Sequence, residues 1–230
     1  MKYLLASVIL ITTLFSTVAA KISRIYHPYV TPMEQELEYR TLLQDTDNST
    51  DLRQLQLLGY GQSISENIFL EFYLISENTD GQSAGITAYE VEAIIQLTEQ
   101  GEFWADWGLI FEIEKVDSLS KWEVSSGVII EKEWGRWSTT VNFAVEYEFG
   151  EDYDNEFHTT GAFQLRYRQS RYFEPALELY NSEYGASVGP AVAGQLRFGI
   201  NKLNWEVGLQ IALDNEAPET YWRFLIDYEF

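Results

Sequence analysis

The chain has 230 residues, no cysteine and a formal net charge of −21. Without cysteine, thiol nucleophiles, cysteine-based zinc sites and iron–sulfur clusters are excluded. So acidic a chain also lacks the dense basic patch that nucleic acid requires, so no nucleic-acid partner is expected.

Lys2, the apolar run from Leu4 to Phe15 and the small residues Val18-Ala19-Ala20 have the order of an export signal: positive start, short apolar core, cleavage site. Cleavage is expected after Ala20. That leaves 21–33 as a short periplasmic lead, which includes His27-Pro28-Tyr29-Val30, and 34–230 as one domain. No other stretch approaches the ~20 consecutive apolar residues of a membrane helix. A membrane-embedded mature chain must therefore be a closed barrel, because only that satisfies every backbone group in lipid without helices.

Downstream of the lead, the apolar residues recur at every second position, and twelve strands are predicted. They cover 34–43, 52–62, 67–76, 86–97, 103–114, 121–133, 137–149, 159–168, 172–180, 188–199, 203–213 and 221–230. In 86–97, Tyr89, Val91, Ala93, Ile95 and Leu97 alternate with Glu90, Glu92, Ile94 and Gln96. In 137–149, Val141, Phe143, Val145, Tyr147 and Phe149 alternate with Asn142, Ala144, Glu146 and Glu148. In 203–213, Leu203, Trp205, Val207, Leu209, Ile211 and Leu213 take one face. A 3.6-residue period would scatter these side chains around a cylinder, whereas a strand sends them to one face. Gly59 and Gly61 blur the faces of 52–62, and Pro190 interrupts 188–199. Most segments have the ~9–11 residues of a tilted transmembrane strand, and an even number suits a bacterial barrel.

Strands of this kind also build soluble β-sandwiches. The apolar faces here hold too many aromatics for a small interior, with 7 Trp and 15 Tyr in the chain. A membrane barrel uses such residues as girdles at its two water interfaces. If the first strand runs outward, the outside connections include 45–51, 78–84, 116–120, 151–158, 180–187 and 214–220, mostly long and acidic. The opposite set includes Gly135-Arg136 and Gly199–Lys202, which are tight. Both termini then lie in the periplasm.

The last strand ends Trp222, Phe224, Ile226, Tyr228 and Phe230 on one face. This resembles the C-terminal signature of bacterial outer-membrane β-barrel proteins. The resemblance implies an up-and-down antiparallel barrel in the outer membrane of a Gram-negative cell. It also implies recognition of this strand by the barrel-assembly machinery, and contact with outer-membrane lipid and lipopolysaccharide.

With the apolar face toward lipid, the other face lines a lumen. Its candidate residues are Glu71, Glu90, Glu92, Asp106, Glu112, Glu114, Glu146, Glu148, Arg166, Arg168, Arg197 and Arg223. One arc is almost wholly acidic and the other carries most of the arginines. Two outcomes follow. The charges pair across the lumen and fill it, or they stand on opposite walls beside a water path. Packed carboxylates repel and resist desolvation, and water and cations relieve both, so a porin-like channel favouring small cations is the expectation. The alternative is a non-conducting structural or binding barrel with acidic outer loops.

A third reading is an outer-leaflet lipid hydrolase. Its one candidate centre is His158 with Thr159 or Thr160 as hydroxyl partner and Asp152 or Asp154 as orienting group. No Gly-x-Ser-x-Gly elbow is present, so no catalytic residue is assigned and no enzyme activity is expected. The acidic loop 150–156 lacks the spacing of an EF-hand, so no metal and no cofactor is expected.

Overall fold

The computed structural model describes residues 24–45, 52–78, 85–117, 120–151, 155–183, 185–215 and 217–230. The export signal therefore lies outside the described residues, as do Asp152, Asp154 and much of the acidic loops. All twelve predicted segments are strands: β1 (Gln35–Asp45), β2 (Leu52–Ser63), β3 (Ile68–Asn78), β4 (Ile86–Gln96), β5 (Asp106–Val116) and β6 (Lys121–Trp134). They continue with β7 (Trp137–Gly150), β8 (Glu156–Tyr167), β9 (Glu174–Ser182), β10 (Gly185–Phe198), β11 (Asn201–Ala212) and β12 (Thr220–Glu229). Each strand pairs antiparallel with its neighbours in sequence, and β1 closes on β12 through pairs such as Tyr39↔Ile226. Closure removes the free edges that would otherwise pair with other chains.

The period-2 pattern becomes an inside and an outside. On β3, Glu71 and Tyr73 are buried while Leu70 and Phe72 are exposed. On β12, Arg223, Leu225 and Asp227 are buried while Trp222, Phe224 and Ile226 are exposed. Large apolar residues form the outer wall. The interior holds most of the charged groups together with apolar clusters such as Leu42, Leu55, Leu57 and Ile75, so the charged face is inward, the reverse of a water-soluble barrel. The two doubtful segments are ordinary members of the wall. Gly59 and Gly61 of β2 leave room for the rings of Tyr73 and Phe69 on the neighbouring strand. Pro190 of β10 sits on the exposed face, and the register with β11 resumes beyond it at Ala191↔Gly208.

The end of the barrel where β1 begins and β12 finishes is called proximal here. The long–short alternation of connections is only partial. At the proximal end, β6–β7 and β10–β11 turn through two residues, with Trp134↔Trp137 and Phe198↔Asn201 paired across them. Residues 97–105 on the same end are long. At the distal end, the connection expected over 180–187 is instead tight, because Ser182 already pairs with Gly185.

The larger difference concerns the lead. Residues 24–30 run into the barrel from the proximal end, and Ile25, Tyr26, Pro28 and Val30 are buried. Tyr26 and Val30 pack with the inward residues Phe69, Ile94, Ile110 and Ile129. A barrel of about eight strands is filled by its own side chains, and a wider one leaves a lumen. Here part of that space is taken by a non-strand segment of the same chain.

Candidate functional site

The lumen wall is organised by strand register. Residues that pair across antiparallel strands share a face, with Cβ atoms about 4.5–5.5 Å apart. Along one row this brings together Glu71↔Glu92, Glu92↔Glu112, Glu112↔Ser125 and Ser125↔Glu146. The next row distally contains Glu90↔Glu114, Glu114↔Glu123, Glu123↔Glu148 and Glu148↔Glu156. Like charges placed directly opposite are destabilising, so two such rows require compensation.

Part of it comes from hydroxyl donors. Tyr26 Oη donates to Glu92 at 2.6 Å, Tyr73 Oη to Glu71 at 2.6 Å, and Ser125 Oγ to Glu112 at 2.5 Å. Part comes from cations. Lys121 Nζ lies 2.6 Å from Glu148 and 2.9 Å from Glu123. Arg24, from the inserted segment, reaches Glu38 at 2.5 Å and stands 3.8 Å from Glu71. Arg40 meets the other oxygen of Glu38 at 2.6 Å. Several carboxylate oxygens in the rows remain without a hydrogen-bond donor, among them Glu71 Oε2 and Glu92 Oε1.

On the opposite arc, Arg223 is the hub. It donates to Glu178 at 2.9 Å, to Glu206 at 3.3 Å, and to the phenol of Tyr180. Gln164 and Gln210 also donate to Glu178. A guanidinium suits this place because it stays charged and offers several planar donors at once.

The expected lumen residues divide by depth. Glu71, Glu90, Glu92, Asp106, Glu114, Glu146, Glu148 and Arg223 are buried in the interior, and Glu112 is partly so. Arg166 lies toward the proximal end, 3.7 Å from Glu174. Arg168 follows the end of β8 and pairs with Glu133. Arg197 is exposed near the proximal rim, donating to Gln195 at 2.9 Å. The last-strand residues Trp222, Phe224, Ile226 and Phe230 are exposed on the outer wall, with Tyr228 half-buried beside them.

Of the hydrolase candidates, Asp152 and Asp154 lie outside the described residues, and Thr160 shares the inward face of β8 with His158. His158 faces the interior, beside Glu183 and 3.8 Å from Glu148 and Glu156. Thr159 is exposed on the other face of β8, pointing away from it. His27, expected in a periplasmic lead, lies instead inside the proximal end, with Nδ1 2.5 Å from Glu131.

The inserted segment is the feature that sequence reasoning missed. It brings Arg24, Tyr26, His27 and Tyr29 against Glu38, Glu92, Glu131 and Asp106. A signal for it existed in the small inward residue Gly108. A Cβ at position 108 would stand 2.9 Å from Pro28, so the thin wall there accommodates the segment.

No protein-family model and no curated relative matches the sequence. Solved structures do match. The KdgM porin in complex with disordered oligogalacturonate aligns with a TM-score of 0.56 at 13% identity, covering 85% of this chain and 99% of that one. An outer-membrane channel from Pseudomonas putida F1 aligns with a TM-score of 0.62 at 13% identity, covering 88% and 96%. The translocator domain of the autotransporter NalP from Neisseria meningitidis aligns at 0.56 and 9% identity, covering 87% and 88%. At such identities the likeness is one of fold. The chain has the architecture of the bacterial outer-membrane β-barrels.

Proposed function

We propose that this barrel is an outer-membrane channel for small solutes, with a lumen that favours cations. The observation that carries the reading is the pair of adjacent carboxylate rows across β3–β8, held in direct cross-strand register. Acidic rings are a recurring selective element of cation pathways. Hydrated cations moving along such a wall relieve the repulsion that the register builds in. The porin and channel folds among the similar structures support the same class of function. They do not carry over a solute. The KdgM complex holds an acidic oligosaccharide, and the carboxylate rows here would repel one.

The test is single-channel conductance of the refolded full chain in a planar bilayer across a KCl gradient. Discrete steps with a reversal potential of cation-selective sign are expected. Replacing Glu90, Glu92, Glu112 and Glu146 together by Gln should move that potential toward zero. Anion selectivity in the parent protein would overturn the reading.

A further inference from the structure

We propose that residues Arg24–Val30 form a displaceable plug, so that the open channel is the barrel with this segment withdrawn. The proposal rests on the channel reading above and concerns how that path is controlled.

The segment partitions the lumen. On one side, a cavity of about 40 Å³ is bounded by Arg24 and Tyr26 and by inward residues of β5–β8 such as Glu112, Glu146 and Thr160. On the other, a cavity of about 290 Å³ is bounded by Arg24, Ile25 and His27 and by residues from β8 to β12 such as Glu206 and Asp227. A water needs roughly 10–15 Å³ of such volume, so the first holds only a few waters and the second many. Withdrawing the segment joins the two spaces.

The attachment is of a kind that can release. A segment built into the wall would satisfy its backbone through the strand ladder, and removing it would break the barrel. Residues 24–30 belong to no strand. Their backbone is met by wall side chains instead. Asn142 accepts from the amide of Tyr26 at 2.8 Å and donates to its carbonyl at 2.9 Å, and Gln96 accepts from the amide of Val30 at 2.7 Å. The phenols of Tyr26 and Tyr29 donate to Glu92 and Asp106 at 2.6 and 2.8 Å. Every one of these bonds can be exchanged for water with the twelve-strand ladder intact. The plug also brings its own charge: Arg24 sits between Glu38 and Glu71, so its departure leaves the wall more acidic and calls for mobile cations.

Two variants of the full chain test this. In the first, Tyr26→Ala with Asn142→Ala cuts the phenol bond and both backbone bonds, and conductance should rise several-fold. The second exploits the absence of cysteine. Ile25 packs in one cluster with Ala162 of β8 and Tyr180 of β9, so Ile25→Cys with Ala162→Cys can tie the segment to the wall. Added to the first variant, an oxidised disulfide, confirmed by mass spectrometry, should return conductance to the parent level, and reduction should raise it again. Equal, non-zero conductance of parent and first variant, both migrating as folded barrels, would overturn the plug. A silent first variant from a folded barrel would instead overturn the channel reading itself.

Discussion

Arg223 and Glu178 show how single residues hold this interior together. Both side chains are almost fully buried, and the guanidinium also serves Glu206 and Tyr180. Removing one member of a buried pair leaves the other charge uncompensated, at a cost of about 3–5 kcal/mol. Arg223→Gln should lower the unfolding free energy by that order in urea titrations of the vesicle-embedded barrel. Glu178→Gln, which keeps the shape and some hydrogen bonds, should cost less. In the inserted segment, burial pushes the Tyr29 phenol up, and the charges of Glu131 and Asp106 reinforce the shift. Its anchoring contribution is therefore complete below the ordinary tyrosine value and is lost only as pH rises toward the elevated one. The destabilisation caused by Tyr29→Phe should stay constant from neutral pH to about 10. A difference that fades within that range would show the phenol ionising early.

At the scale of elements, the tight proximal hairpins place the walls. Gly135 and Gly199 have φ of +64° and +70°, each inside a two-residue turn. Such turns match the twist of the flanking strands and demand positive φ. Gly135→Val should cost about 1–2 kcal/mol through the left-handed backbone alone, read as a faster unfolding rate of the barrel in urea. The glycines inside strands act differently. Gly108 gives space to Pro28, so a bulky residue there should disturb the inserted segment before it disturbs the strands. Its effect should appear first in conductance and only later in stability.

Across the whole molecule, the exposed tryptophans among the described residues fall into two bands, with rings such as Phe72, Phe111 and Phe143 lying between them. Trp104, Trp107, Trp134, Trp137 and Phe230 stand near the proximal end, and Trp122, Trp222 and Phe157 near the distal end. Aromatic rings settle at the headgroup level because they carry an apolar body and a polar or polarisable edge. Lipids brominated high on the acyl chain should therefore quench tryptophan fluorescence more than lipids brominated near the methyl end. Stronger quenching from the deep position would contradict two interfacial bands.

The twelve strands, their faces and most wall charges were legible because strand geometry is local: successive side chains alternate whatever the partner strand does. Glu90, Glu92 and Glu112 declared an inward face from the apolar neighbours between them. Boundaries were less legible. The distal turn at Ser182–Gly185 was read as long because polar residues such as Asn181, Ser182 and Glu183 look alike in a loop and in a strand end. Three things lay beyond the sequence. One is that Glu114 faces Glu123 and Glu92 faces Glu112, since register joins residues that no sequence spacing connects. Another is the convergence of Gln164, Glu178, Gln210 and Arg223 from four strands. The last is the position of residues 24–30, whose seven residues carry no repeating pattern of their own. Alternation is written residue by residue in the chain, and it determined an inside and an outside. What fills the inside depends on barrel width and on which groups closure brings within hydrogen-bonding reach, and only the tertiary structure decided that.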